Sequence, residues 1–564
     1  MILNIEIGMI KNIKRIAFTI CTVFCCTCSF AKIQVTVTQP IVPVLTQKSH
    51  NPVLKVSFIK DSASNCFVKD MTLFLEGAIG DIHSIGLYAS DNKGLLDATA
   101  LLTTIKKAEK KVTFSNPLIL TQDTTDVWVS VTLHPNINLT HKYRISCHNI
   151  KVKEQDVEMQ SVRPLAFLRA GVAMRKNNQD NIHTSRIPGI ATSKNKTLLA
   201  IYDARYESSR DLQGNIDIAL NRSHNGGITW APTQIVLDMK EWGNLPEKYN
   251  GVSDACILVD EKTGAIYVAG LWMHGVLDAH SGKWVEGLTK DSTRWIHQWI
   301  AKGTQPGLDV KETCQFLITK STDDGMTWSD PVNITSTTKR PEWWLFAPAP
   351  GHGIILRDGT LIFPSQGRDK NGIPFSNITY SLDGGKTWQT SNPAYHNTTE
   401  CMAVELSNGS IMLNMRDNRN HGTLKGNGRR ICVTNDLGKS WREHPTSRNA
   451  LVEPTCMASI HKHQYTCKGK QKTLLLFCNP ASHNKRDHMT LKASFDDGNT
   501  WPSEHHILLD EWAGFGYSCI TSVDENTIGI LYEGSQAQMV FQQISLNEIC
   551  LLYTSPSPRD YAAS

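Results

Sequence analysis

Short apolar runs with strand-like alternation or β-branched content, separated by polar turns, recur along almost the whole chain. Between Lys32 and about Gln160 the runs are QVTVTQ, LKVSFI, MTLFLEG, IGLYAS, KVTFS and DVWVSVTL. This pattern predicts a β-sandwich domain over 32–160. Beyond Arg163 the runs change company: IDIAL, QFLIT, NITY, RICVT and LKA each stand before a turn of nearly fixed sequence. The copies are SHNGGITW from Ser223, STDDGMTW from Ser321, SLDGGKTW from Ser381, TNDLGKSW from Thr434 and SFDDGNTW from Ser494. Their starts lie 98, 60, 53 and 60 residues apart. A period of several tens of residues marks a repeated supersecondary unit, and the units read as strand, turn, strand. An all-β fold follows, a sandwich preceding a β-propeller that runs to about Leu546.

The turn chemistry assigns the boxes to architecture. Ser and Asp side chains bond nearby backbone N–H groups, Gly accepts positive φ, and Trp buries a large ring between neighbouring units. Asn225 is the one break in the acidic position. The residues that hold backbone in this way need not meet a ligand.

Composition narrows the class. The chain has 564 residues, 40% of them hydrophobic, which is ample for two soluble domains. A net charge of +5 without a long Lys/Arg block gives no nucleic-acid surface. Lys11, Lys14 and Arg15 precede IAFTICTVFCCTCSFA, an apolar stretch of signal-peptide length, and cleavage is expected after Ala31. The stretch is too short for a membrane span, and neither Cys25 nor Cys26 follows the small residue that a lipidation box requires. Export to the periplasm, cell surface or medium is expected. Eleven cysteines remain after the leader, scattered without a CxxC pair, so metal binding has no spacing support and buried thiols are expected over disulfides. CLLYTSPSPRD, from Cys550, looks like translated sequencing adaptor, and 549–564 are set aside as a non-native tail. An insertion at 272–308 carries Trp284, Trp295 and Trp299; a sugar-contacting rim loop and a packed excursion are equally open.

A propeller names no function, so the site must. The candidates are TSRIPGI from Thr184, YDARYESSRDLQGNIDIALNRS from Tyr202, ECMAVELSNGSIMLNMRDN from Glu400, NPASHNKRDHMTLKASFDDGNTW from Asn479 and GFGYSCI from Gly514. In this order and with the boxes they resemble the secreted bacterial exo-α-sialidases (neuraminidases) of the Asp-box, or BNR-repeat, superfamily, over 163–548. The resemblance implies a six-bladed propeller and a set of roles. Arg186 matches the Arg-Ile-Pro arginine, Arg205 and Asp211 the Asp-Ala-Arg and acid/base positions, and Asp254 a further active-site Asp. Glu400 and Arg416 match the catalytic Glu and second arginine, Arg486 the third arginine and Tyr517 the nucleophile. Ser185 departs from the bulky residue usual before Arg-Ile-Pro, and Lys485 adjoins Arg486.

These residue types suit one substrate. A sialic acid carries a carboxylate on its anomeric carbon, which planar arginine forks bind bidentately. The same carboxylate repels an Asp or Glu nucleophile, which favours a neutral Tyr. The expected enzyme is a retaining exo-α-sialidase acting on sialylated glycoconjugates, monomeric, with no cofactor, no metal and no nucleic-acid partner. Its catalytic residues would be Asp211, Glu400 and Tyr517, with Arg186, Arg205, Asp254, Arg416 and Arg486 binding substrate. The alternatives are a trans-sialidase, an intramolecular trans-sialidase, or a sialic-acid-binding lectin without turnover.

Overall fold

A computed structural model describes residues 33–61, 65–212, 214–274, 284–285, 287–292, 306–420 and 427–554. The leader, Trp295, Trp299 and the tail beyond 554 lie outside the described residues.

The N-terminal segment forms two facing sheets. One runs in the order Met159–Ser161, Ile33–Thr38, Asn51–Lys60, Thr124–Leu133, Ile82–Ser90, Leu96–Ile105. The other contains Lys142–Val152, Cys66–Gly77 and Lys111–Leu120. Alternation decides which side chains turn inward: Val35 and Val37 of the first strand are buried with Val56, Phe58, Leu73, Val129 and Ile145. This is the sandwich that the spacing predicts.

Six four-stranded antiparallel units follow among the described residues. Their inner segments are Thr184–Thr192, Asn250–Val259, Leu345–Pro348 with Ile354–Ile355, Thr398–Glu405, Ser459–Cys467 and Ser518–Asp524. Each unit contacts the next, and the last inner strand contacts the first, so the units close a ring, the arrangement of a β-propeller.

Each of the five boxes joins the third strand of a unit to its fourth. In the second unit Ser321 Oγ donates to Asp323 Oδ1 (2.8 Å), Gly325 N to Ser321 Oγ (3.0 Å) and Thr327 N to Asp323 Oδ1 (2.9 Å). Asn225 keeps the frame. Its Oδ1 accepts from Thr229 N at 3.0 Å, and its amide nitrogen donates to Thr229 Oγ1 at 2.9 Å where an Asp would accept. The Trp rings do reach neighbouring units: Trp388 packs on Tyr267, and Trp230 on Phe541. The sixth unit lacks a box because its fourth strand, Leu168–Arg175, arrives from the front of the chain. No third-to-fourth turn exists there to be stapled.

Leu168–Arg175 belongs to two bodies at once. One edge pairs with Met539–Ser545 of the ring; the other pairs with Lys142–Val152 and Val44–Thr46 of the sandwich. A Cβ on Gly171 would sit 2.9 Å from Leu45 Cδ2 and 3.0 Å from Phe541 O, so this crossing needs a bare backbone. Past the last strand, Leu546–Thr554 is a helix that crosses the expected boundary at 549. Its Glu548 pairs with Lys142 at 2.7 Å and with Arg169, and Ile549 is buried.

Of the eleven described cysteines, eight are buried. In the insertion, Trp284 packs on Tyr249 (5.2 Å between centroids) beside Leu245 and Leu288, a small core of its own.

Candidate active site

The inner strands of the ring are irregular where chemistry is concentrated. The strand Thr184–Thr192 shifts register between Arg186 and Gly189, with Ile187 at φ 61°. Asn250–Val259 shifts between Ser253 and Cys256, with Asp254 at φ 54°, and Thr398–Glu405 shifts between Thr398 and Cys401, around Glu400. β-Bulges of this kind re-aim side chains that a regular ladder would bury between sheets. Three candidate residues, from three units, sit at bulges.

Tyr517 is the junction. Its hydroxyl donates to Glu400 Oε1, and Arg416 Nη1 donates to Glu400 Oε2 at 2.5 Å and to Tyr517 Oη at 3.1 Å. The ring is 6% exposed. Burial, reinforced by Glu400, pushes the phenol well above its ordinary pKa against the pull of Arg416 and Arg486. The hydroxyl therefore holds its proton until a base takes it, and Glu400 is in place to do so. The guanidinium carbons of Arg186 and Arg486 each stand 5.5 Å from the Tyr517 ring centroid.

Asp211 lies on the turn after Leu198–Arg205, its side chain 50% exposed. Arg205 Nη1 donates to Asp211 Oδ1 at 2.5 Å and Arg205 Nη2 to Asp203 Oδ2 at 2.8 Å. Burial pushes the Asp211 carboxyl up, but Arg205, Arg186 and Arg486 together outweigh it and hold the group below the usual carboxylate range. Asp203 is fully enclosed. Burial raises its pKa to about 6 although Arg205 and the Ser253 hydroxyl favour the anion. Asp254 is raised well above the carboxylate range, first by burial and then by Glu400, Asp203 and Asp211, while Gln366 Nε2 donates to it at 2.8 Å. That shift favours the protonated form of Asp254, which can donate a hydrogen bond.

The structure brings all eight sequence candidates to one end of the ring. Arg205 bonds both Asp203 and Asp211, so it also orients the Asp211 side chain. The motifs did not reveal Glu533 and Phe515. Glu533, 1% exposed, accepts from Arg186 Nε (2.6 Å) and Ile187 N (2.9 Å) with one oxygen and from Tyr517 N (3.0 Å) with the other. One carboxylate thus fixes Arg186 and the Tyr517 backbone together. Phe515, 41% exposed, lies 4.2 Å from the Arg186 guanidinium, and its carbonyl accepts from Arg486 Nη1 at 2.9 Å. The sequence signal for Glu533 was only an acid directly after the apolar run TIGILY. No group of three or more metal-ligating side chains occurs among the described residues.

Comparison with known proteins bears on the family and the fold. The model of the BNR repeat-like domain matches residues 196–530, and that of the N-terminal domain of BNR-repeat neuraminidase matches 32–156. The chain is 36% identical over 562 residues to a sialidase of Bacteroides fragilis (strain YCH46), covering 94% of this chain and 98% of the relative. A sialidase of Micromonospora viridifaciens is 30% identical over 394 residues, 67% of this chain and 55% of that one. Among solved structures, the Hadza microbial sialidase Hz136 superposes with a TM-score of 0.81 at 33% identity, covering 91% of this chain and 99% of that one. An intramolecular trans-sialidase from Ruminococcus gnavus shares the fold at a TM-score of 0.51 and 18% identity, over 65% of this chain and 96% of that one.

Proposed function

The chain belongs to the BNR-repeat sialidase family and is a glycoside hydrolase of the exo-α-sialidase kind, and we propose that it releases terminal α-linked sialic acid with retention, through a tyrosyl-enzyme intermediate. The observation that carries the reading is the Tyr517 hydroxyl bonded to Glu400 while Arg416 holds both. A phenol with its own base, beside guanidinium groups free to take a carboxylate, is arranged for nucleophilic attack next to an anion.

In this reading Arg186, Arg416 and Arg486 bind the substrate carboxylate. Tyr517 Oη attacks the anomeric carbon, Glu400 takes the phenolic proton, and Asp211 protonates the departing glycosidic oxygen. Asp211 then takes a proton from water, which displaces Tyr517 from the sugar, and Glu400 returns the proton to the phenolate. Two displacements give net retention. In the free enzyme Arg205, Arg186 and Arg486 favour the Asp211 anion. A bound carboxylate offsets the charge of Arg186 and Arg486, which relaxes their pull and lets Asp211 carry the proton that it must donate. Asp254 binds a polar arm of the sugar, and Arg205 orients Asp211 at the same edge.

Substrates are sialylated glycoproteins, glycolipids and oligosaccharides, met outside the cytoplasm by a monomeric enzyme. No described helix is long and apolar enough to cross a membrane. The joint presence of Asp211, Glu400 and Tyr517 favours turnover over a lectin. Transfer to a sugar hydroxyl and intramolecular attack share the first step and differ only in what meets the intermediate. The test is incubation with a fluorogenic α-sialoside and mass analysis of the product. No turnover by folded protein rejects the reading, and a product lighter by one water rejects simple hydrolysis.

A further inference from the structure

The segment between the fifth and sixth units carries Phe515 and Tyr517, and the sandwich grips it just upstream. Glu511 N donates to Ile41 O at 2.9 Å. Arg163 Nη2 donates to Glu511 Oε1 at 2.7 Å while Arg163 Nε donates to Gln39 O at 3.1 Å. Gln39 is itself buried, its side-chain oxygen accepting from Ala166 N at 2.6 Å. Trp512 meets Trp128 of the sandwich edge to face, with centroids 6.1 Å apart. A second tie runs in parallel. Lys48 Nζ donates to Gln536 O at 3.1 Å, and two residues on Gln538 Oε1 accepts from Ser185 N at 2.8 Å, next to Arg186.

We infer that the N-terminal sandwich is a working part of the catalytic site: it positions the 511–517 loop through Glu511 and Trp512, with Trp128 and Arg163 as the anchors. Geometry gives the route. From Glu511 to Phe515 is four residues, and Phe515 holds two arginines at once, Arg186 by its ring and Arg486 by its carbonyl. Tyr517 N is fixed independently by Glu533. Loosening the anchors therefore acts first on Arg486, which the Phe515 carbonyl holds, and strips the ring from Arg186, which Glu533 still holds, before it disturbs the nucleophile. Gly516, at φ 89°, leaves the link no slack, since a Cβ there would lie 3.0 Å from Arg486 Cβ and Pro480 Cγ. Trp128, Arg163, Glu511 and Trp512 touch no substrate in this scheme; they are positioning residues. A domain that only tethers polymeric glycans would leave a small sialoside unaffected. A positioning domain would not.

The inference rests on the sialidase reading, and the test separates the two. Full-length Trp128→Ala and Glu511→Gln are compared with wild type for kcat and KM on a small fluorogenic sialoside, and for inhibition by a planar unsaturated sialic acid analogue. The active fraction is counted by covalent labelling with a fluorinated sialosyl donor. The expected result is a KM raised at least about tenfold, a parallel loss of analogue affinity, a smaller change in kcat per labelled site, and recovery with Trp128→Phe, which keeps the edge-to-face contact. A merely structural role lowers the active fraction and the unfolding midpoint but leaves KM and analogue affinity where they were. If Trp128→Ala does not fold, Glu511→Gln, which keeps the backbone bond, decides. KM and analogue affinity within twofold of wild type in the folded variants would overturn the inference. Wild type that neither turns over the sialoside nor binds the analogue fails the sialidase reading instead.

Discussion

Tyr517→Phe removes one oxygen from a ring that is otherwise packed in place. Glu400 keeps its pairing with Arg416, so no buried carboxylate is left bare. Turnover should fall by several orders of magnitude with little change in unfolding midpoint, and peptide mapping of wild type after a fluorinated donor should find the sugar on Tyr517. An adduct on Asp211, Glu400 or Asp254 overturns the assignment of roles. A second residue makes a pH prediction. Burial and the neighbouring Asp238 raise the Asp217 carboxyl to about 7, although the Tyr206 hydroxyl donates to it at 2.8 Å. The fold thus holds this proton more tightly than the unfolded chain, so stability falls as pH rises from about 4 towards 7 and then levels. Asp217→Asn lacks that loss. Denaturant titrations should show it equal to wild type at pH 4 and more stable by roughly 1–3 kcal/mol at pH 8, within the ceiling of about 4 kcal/mol for three pK units.

At the scale of elements, the boxes are predicted to act on stability alone. Asp496 accepts from Ser494 Oγ (2.8 Å), Thr500 N (2.9 Å) and Thr500 Oγ1 (2.7 Å), and none of these atoms belongs to the site. Asp496→Ala should cost about 1–3 kcal/mol in denaturant while kcat/KM stays within twofold. A loss of activity in folded protein would contradict the assignment of the boxes to architecture. The elements were also where the sequence spoke most clearly. Period-two runs mark strands, and a fixed turn marks each unit, because both depend on neighbours a few residues away. Arg186, Glu400 and Tyr517 were legible for a different reason, since the side chain type is the chemistry and the motif order is long. Glu533 was silent because its partner Arg186 lies 347 residues off, and nothing local distinguishes a buried acid from an exposed one. The bulges at Arg186, Asp254 and Glu400 were silent too: they are register shifts between strands, visible only once the strands are paired.

For the whole molecule, an expected border at 160–163 says nothing of what joins the sandwich to the ring. The strand Leu168–Arg175 reads as one more apolar run, and alternation does not say that each of its edges has a different owner. Gly171→Ala tests that joint. The added methyl meets Leu45 from the sandwich and Phe541 and Gln542 from the ring, so a loss of about 1–3 kcal/mol is expected in denaturant titration. An unchanged transition would mean that the two bodies give way freely at this strand.

The shared strand also sets a waiting time during synthesis. Leu168–Arg175 leaves the ribosome roughly 360 residues before Met539–Ser545, its partner in the ring. At about 5–20 residues per second, that is an interval of roughly 20 to 70 s. An unpaired edge exposed for so long invites association with other nascent chains. Here the other edge is claimed by 44–46 and 142–143, segments already made when the strand emerges. The sandwich therefore has a task before there is any active site to serve: it holds the first-made strand of the ring in register until the last-made ones arrive.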